Sequence, residues 1–221
     1  MMFAGVIWSE IGQATLETLY MVGVSTLLAV ILGLPLGVVL YLCAPGSLLE
    51  NRWVYQAASV VVNIVRSVPF IILLIAIIPL TEWLVGTSIG VNAAIVPLVV
   101  GAAPFYARIA ETSFREVDPG VIEAAQAMGA SVWQVIFRVL LPESRPGLIA
   151  GATITAVTLI SYSAMSGVIG GGGLGDLAVR YGYERFETNV MLITTAVMVV
   201  LVQVLQWLGD RAALYFARRS R

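Results

Sequence analysis

Lysine and histidine are absent from this 221-residue sequence, and cysteine occurs once, as Cys43. A Walker A loop needs a lysine after its glycines, so the chain cannot grip a nucleoside triphosphate in that way. Without histidine there is no HExxH zinc site, no Ser-His-Asp triad and no histidine proton relay. A lone cysteine excludes an internal disulfide and a cysteine metal cluster. Charge is scarce as well, at 11% of residues. Glu82, Glu111 and Glu143 fall near the ends of apolar runs, where carboxylates are usually solvated or paired, so acids suited to proton coupling are few. No catalytic residue, metal ligand or nucleic-acid partner is expected.

What fills the chain instead is apolar. Hydrophobic residues make up 59% of it, and mean hydropathy is +0.95, outside the range of a soluble domain. Uncharged windows cover 18–49, 67–81, 83–107, 146–175 and 188–209. Four of them reach the roughly 20 residues that cross a bilayer core of about 30 Å. The second is too short unless its helix begins near Trp53 and carries Arg66 inside it, ending before Pro79. The expected fold is therefore an all-α polytopic membrane protein with five transmembrane helices, or four if residues 67–107 are irregular. Arg66 has two readings, a side chain snorkelling to the interface or one facing a wet cavity. Neither internal repeats nor a linker divides the chain, which reads as a single transmembrane domain with its core at about 15–210.

Arginine sets the orientation. With five spans, Arg52, Arg108, Arg115, Arg138, Arg145, Arg211, Arg218, Arg219 and Arg221 fall on one side, against Arg180 and Arg185 on the other. The positive-inside rule then places the N-terminus outside, and the tail and the 108–145 loop in the cytoplasm. The N-terminus shows no basic region or small-residue cleavage site, so span one is expected to serve as an uncleaved targeting segment.

Several local patterns stand out along the spans. Gly33-Leu34-Pro35-Leu36-Gly37 in span one, expected over Leu16–Leu42, has the spacing that lets helices approach closely. An outer turn is expected at Thr81–Gly90, and span three carries Pro97 and Pro104. Span four, expected over Gly147–Gly167, is rich in hydroxyls that need protein partners in lipid. Ser161, Tyr162, Ser163 and Met165 in its later half suit a translocation pathway closed by Met165 from two copies, or interhelical hydrogen bonds around a core methionine. Gly170, Gly172 and Gly175 spell GxGxxG, yet they follow a membrane helix and are expected to form a flexible outer loop. With the segment through Tyr181 and Tyr183, that loop is a candidate docking surface for an external protein. Span five is expected over Thr188–Leu208.

The stretch between spans three and four is different in kind. Asp118-Pro119 reads as an N-cap with proline opening a helix, and Gly129 reads as its stop. Ser131 and Gln134 form a capping box for a second short helix, expected to end at Pro142. Val121, Ala125 and Met128 share one face of the first helix, flanked by small Ala124 and Ala127.

Glu123-Ala124-Ala125, three residues, Gly129, nine residues, then Val139-Leu140-Leu141-Pro142 resembles the EAA signature of permease subunits in binding-protein-dependent ABC importers. Val139 stands where that family most often has isoleucine. The run Arg66-Ser67-Val68-Pro69-Phe70-Ile71-Ile72-Leu73-Leu74 and the segment Ser161–Gly167 are similar to those of methionine-type members. The likeness covers about Thr15 to Asp210.

This resemblance implies a cytoplasmic coupling loop at 118–142, with Glu123, Ala124, Ala125, Met128 and Gly129 docking on a separate ATPase subunit. It implies two copies of the chain, two ATPases that bind ATP and Mg, and an extracytoplasmic methionine-binding protein. The expected function is import of methionine, D- or L-, across a bacterial inner membrane by alternating access. The alternatives are a permease for another small amino acid, an ion-coupled carrier, which calls for repeats and intramembrane acids, and a membrane scaffold without a pathway.

Overall fold

The structure is a computed structural model and describes residues 8–217. In chain order it has α1 (Trp8–Cys43), α2 (Arg52–Ser67), α3 (Phe70–Ala76), α4 (Ile78–Val85) and α5 (Val91–Arg115). Then follow α6 (Pro119–Ala127), α7 (Val132–Val135), a π-helical turn at Ile136–Leu140 and α8 (Leu141–Glu143). Last come α9 (Arg145–Ser166), α10 (Gly173–Leu177) and α11 (Thr188–Ala217). No strand occurs among the described residues. Among the described residues four helices are long and apolar enough to cross a membrane: α1, α5, α9 with its continuation to Ile169, and α11.

The expected second span is not one helix. Pro69 has no N–H to continue α2, and Val68 before it is extended, so α2 and α3 meet at 103°. Even so, the broken segment follows α5 in antiparallel order. Val62 packs on Ala107, Arg66 lies over Phe105, Phe70 and Leu73 face Gly101, and Ile78 and Thr81 reach Ala93, Ala94 and Pro97. The outer turn is shorter than expected, because Ile78–Val85 is helical up to the left-handed Gly86.

Helix ends move outward relative to the hydropathy windows. α1 is already helical at Trp8, the first described residue and ahead of Leu16, since Glu10 and Gln13 can sit in helix beyond the apolar stretch. α5 continues through Arg115, which places Arg108 and Arg115 on a span rather than in the loop, and α11 runs past Asp210 to Ala217. Arg218, Arg219 and Arg221 lie outside the described residues.

The core is built on α1 and α5. A Cβ at Gly33 would lie 2.6 Å from the Ala103 carbonyl oxygen, and one at Gly37 2.8 Å from that of Ala107, so the GxxxG spacing puts the two backbones in contact. Around this seam Met21, Leu74, Leu98 and Leu159 fill one apolar cluster, and Tyr106, Phe114, Val135 and Leu140 a second at the α6–α8 end.

Candidate functional site

The elbow between α5 and α9 forms as its punctuation dictates. Asp118 accepts from the Gly120 N–H at 2.8 Å, and Pro119 opens α6. Gly129 is left-handed at φ 79°. Its N–H donates to Gln126 O at 2.9 Å and that of Ala130 to Ala125 O at 3.0 Å, the paired bonds of a Schellman stop. The Ser131 hydroxyl accepts from the Gln134 N–H, while Gln134 Oε1 accepts from the Ser131 N–H at 2.8 Å, completing the capping box.

Two expectations for the elbow are corrected. Pro142 does not end the second helix: the chain widens into π geometry over Ile136–Leu140, loosening the turn that the proline ring would otherwise strike, and continues to Glu143. Nor do Val121, Ala125 and Met128 share an outward face. Ala125 is buried with Ile122 against the Phe114 end of α5, because these two form the inward stripe of a short helix. Outward stand Val121, Glu123, Ala124 and, at 83% exposure, Met128. Trp133 and Phe137 are also exposed and stack with centroids 6.0 Å apart. Sequence reasoning missed this aromatic pair, although its i, i+4 spacing was a signal.

The end of α5 that leads into the elbow carries a buried charge network tied to α2. Glu111 is 4% exposed and accepts from Arg108 at 2.6 Å and from Arg115 at 2.8 Å, and Arg108 also donates to Asn63 Oδ1 at 3.1 Å. The acid is thus paired, as its place near a span end suggested.

Span four's candidate residues separate. Ser161 and Met165, one turn apart, line an open groove of about 570 Å³ with Thr195, Met198 and Gln203 of α11. Tyr162 points elsewhere, stacked on Phe70 with centroids 4.2 Å apart. Ser163 is buried and donates to Ile160 O at 2.8 Å, which makes it a packing group.

The glycine run is not a flexible loop. Gly173–Ala178 is buried, and α10 folds back against α1 and α9. A Cβ on Gly167 would lie 2.2 Å from Asp176 N, and one on Gly175 2.4 Å from Ala164 Cα. Glu17 Oε2 accepts from Gly173 N–H and Thr18 Oγ1 from Leu174 N–H, both at 2.9 Å, so α1 caps the hairpin helix. Asp176 then accepts from Arg180 Nε at 2.7 Å, and this bond holds the guanidinium above its ordinary pKa. Tyr181 is half-buried beneath Arg185, at 4.4 Å, whereas Tyr183 is 70% exposed. Gly86-Thr87-Ser88-Ile89-Gly90 spells GxSxG on the α4–α5 turn, but a chain without histidine offers that serine no histidine base.

A bundle of membrane-length helices interrupted by a capped helical elbow, and carrying no nucleotide loop of its own, is the build of a transport subunit worked by another protein. The chain belongs to the binding-protein-dependent transport system inner membrane component family, whose profile matches residues 30–221. It is 48% identical to the methionine import system permease protein MetP of Bacillus subtilis, over 94% of each chain. Identity is 54% to the D-methionine transport system permease protein MetI of Escherichia coli K12, over 68% of this chain and 70% of that one. Among solved structures it resembles a chain of the inward-facing MetNI methionine ABC transporter at TM-score 0.93 and 47% identity, covering 95% of this chain and 97% of that one. An amino acid ABC transporter at 19% identity and TM-score 0.76 shares the fold.

Proposed function

We propose that this chain is the methionine-conducting permease subunit of an ATP-driven importer, working as a homodimer in the bacterial inner membrane. Five crossings, with α2–α4 together as the second, put the N-terminus outside and the α6–α8 elbow in the cytoplasm, where arginine is concentrated. Each elbow docks on one ATPase, which supplies ATP and Mg chemistry. The exposed Glu123, Ala124, Met128 and Gly129 form the contact, while Ala125 anchors the elbow to its own α5. Closure of the ATPase pair pulls on the elbow and rocks the helices between inward- and outward-open states. Ser161 and Met165 line the pathway, and Tyr181 and Tyr183 present the outer surface to a methionine-binding protein.

The observation that carries this reading is the elbow itself: a rigid, capped helix pair tied to α5 and α9, with an apolar outer face that its own chain leaves open. An ion-coupled carrier is less well supported, because the buried acids Glu111 and Asp176 are both held by arginine. Co-expression with the cognate ATPase tests the proposal. A stoichiometric ATPase should co-purify and be lost with Glu123→Arg, and proteoliposomes holding the complex and its binding protein should import labelled methionine. Uptake of another solute with none of methionine would refute the substrate. An ATPase that never co-purifies would refute the importer.

A further inference from the structure

We propose that α11 forms the second wall of the solute path, with the Gln203 amide meeting the polar end of an apolar amino acid in transit and Met198, across from Met165, meeting its side chain. This rests on the importer reading, which takes only Ser161 and Met165 of α9 as pathway residues, and it adds a specificity-determining residue on another helix.

The groove itself joins the two helices. It runs between α9 and α11 and measures about 570 Å³, within the ~300–1,000 Å³ of small-molecule sites. Ser161, Ala164 and Met165 stand on one side of it, and Thr195, Met198 and Gln203 on the other. A solute that passes Ser161 and Met165 here passes α11 as well.

The residues of α11 are sorted to match. Thr194, Leu201 and Leu205 turn to the core of the chain. Val200, Val204 and Leu208 are exposed and aliphatic, a face suited to acyl chains. Thr195, Met198, Val202 and Gln203, spaced i, i+3, i+7 and i+8, form a third stripe that lines the groove. α11 is of membrane length and uncharged from 188 to 209. At 1.5 Å per residue Gln203 lies about 22 Å along it from Thr188 and about 10 Å before Asp210, well inside that run. Polar side chains within a span turn toward protein or a wet path, and the groove is where this one turns. The neighbouring amide, Gln206, is instead held by Asp210 at 2.8 Å.

The chemistry suits passage. An amide donates from Nε2 and accepts at Oε1, so Gln203 can meet either the carboxylate or the ammonium of an amino acid. Being neutral, it does so weakly enough to let the solute leave, as a conduit requires. Met165 and Met198 offer flexible, polarizable thioethers that mould to an unbranched apolar side chain, and the small Ala164 leaves room for it.

A second copy of the chain packed into the groove would also cover Gln203, so the test separates passage from packing. Thiol labelling is measured on the permease–ATPase complex in nanodiscs, with Cys43→Ser as background. Q203C should react with a water-soluble cationic reagent at least about tenfold faster than V200C on the aliphatic face, because a thiol ionises only where water reaches it. Excess L-methionine should slow Q203C. In proteoliposomes with the binding protein, Q203L should lower the kcat of methionine uptake about fivefold to tenfold with KM unchanged, and Q203N should retain part of it. Equal labelling of Q203C and V200C would overturn the proposal, as would labelling that methionine does not slow, or wild-type uptake by Q203L. A Q203L permease that falls apart into single copies would make Gln203 a contact between copies, and would also overturn it. All these outcomes leave the importer reading standing, since that is judged by ATPase co-purification and uptake by the wild type.

Discussion

Gly129 and Glu111 show two ways a single residue fixes local structure, one by its backbone in the elbow and one by its charge at the end of α5. Nothing lies within 4 Å of a Cβ built on Gly129, so the residue is required by its left-handed backbone and not by crowding inside this chain. Gly129→Ala should cost about 1–2 kcal/mol of local stability, with Gly129→Asn milder. Intrachain strain treats alanine and tryptophan alike. A tryptophan at 129 that removes the ATPase where alanine merely weakens it therefore marks a surface that the partner covers, and equal loss would argue for strain alone. Glu111→Gln withdraws the carboxylate that Arg108 and Arg115 share. Discounted for the solvent that reaches Arg115, thermal unfolding in detergent should show a loss of about 3 kcal/mol. The caps at Asp118, Gly129 and Ser131 were legible from residue type, because each is satisfied within a few positions of itself. The burial of Ala125 was not, since which stripe of a nine-residue helix faces inward depends on how it folds back on Phe114 of α5.

Among the elements, α10 departs furthest from its sequence reading. Four consecutive glycines suggest mobility, yet a Cβ on Gly171, Gly172 or Gly173 would crowd Ser166, Val91 or Thr18, the flanking Gly167 and Gly175 lie against backbone, and Glu17 and Thr18 cap the resulting helix from α1. Local pattern cannot reveal a cap supplied from so far along the chain. Thr18→Val keeps the volume but leaves the buried Leu174 N–H unpaired, and should destabilise the protein by about 1–3 kcal/mol. Unchanged melting of that variant would mean the hairpin is not held by α1. The second span was half legible: Pro69 announced a break, and only the run of contacts down α5 shows that the broken pieces still keep antiparallel order.

Across the whole molecule, the absence of lysine and the excess of apolar residues set the division of labour, a conduit here and a motor elsewhere. Hydropathy found four spans because membrane length is a property of composition. It could not settle a fifth path that is bent and lined with polar groups. The central claim is that force enters through the α6–α8 elbow on the cytoplasmic side. The most direct measurement is disulfide trapping of the assembled complex, with Cys43→Ser as background and Ala124→Cys paired with cysteines on the ATPase surface. A bond from position 124 to the ATPase, with that thiol shielded from membrane-impermeant reagents applied outside intact cells, is predicted. A thiol labelled from outside, or no bond to an ATPase that co-purifies and supports uptake, would contradict it.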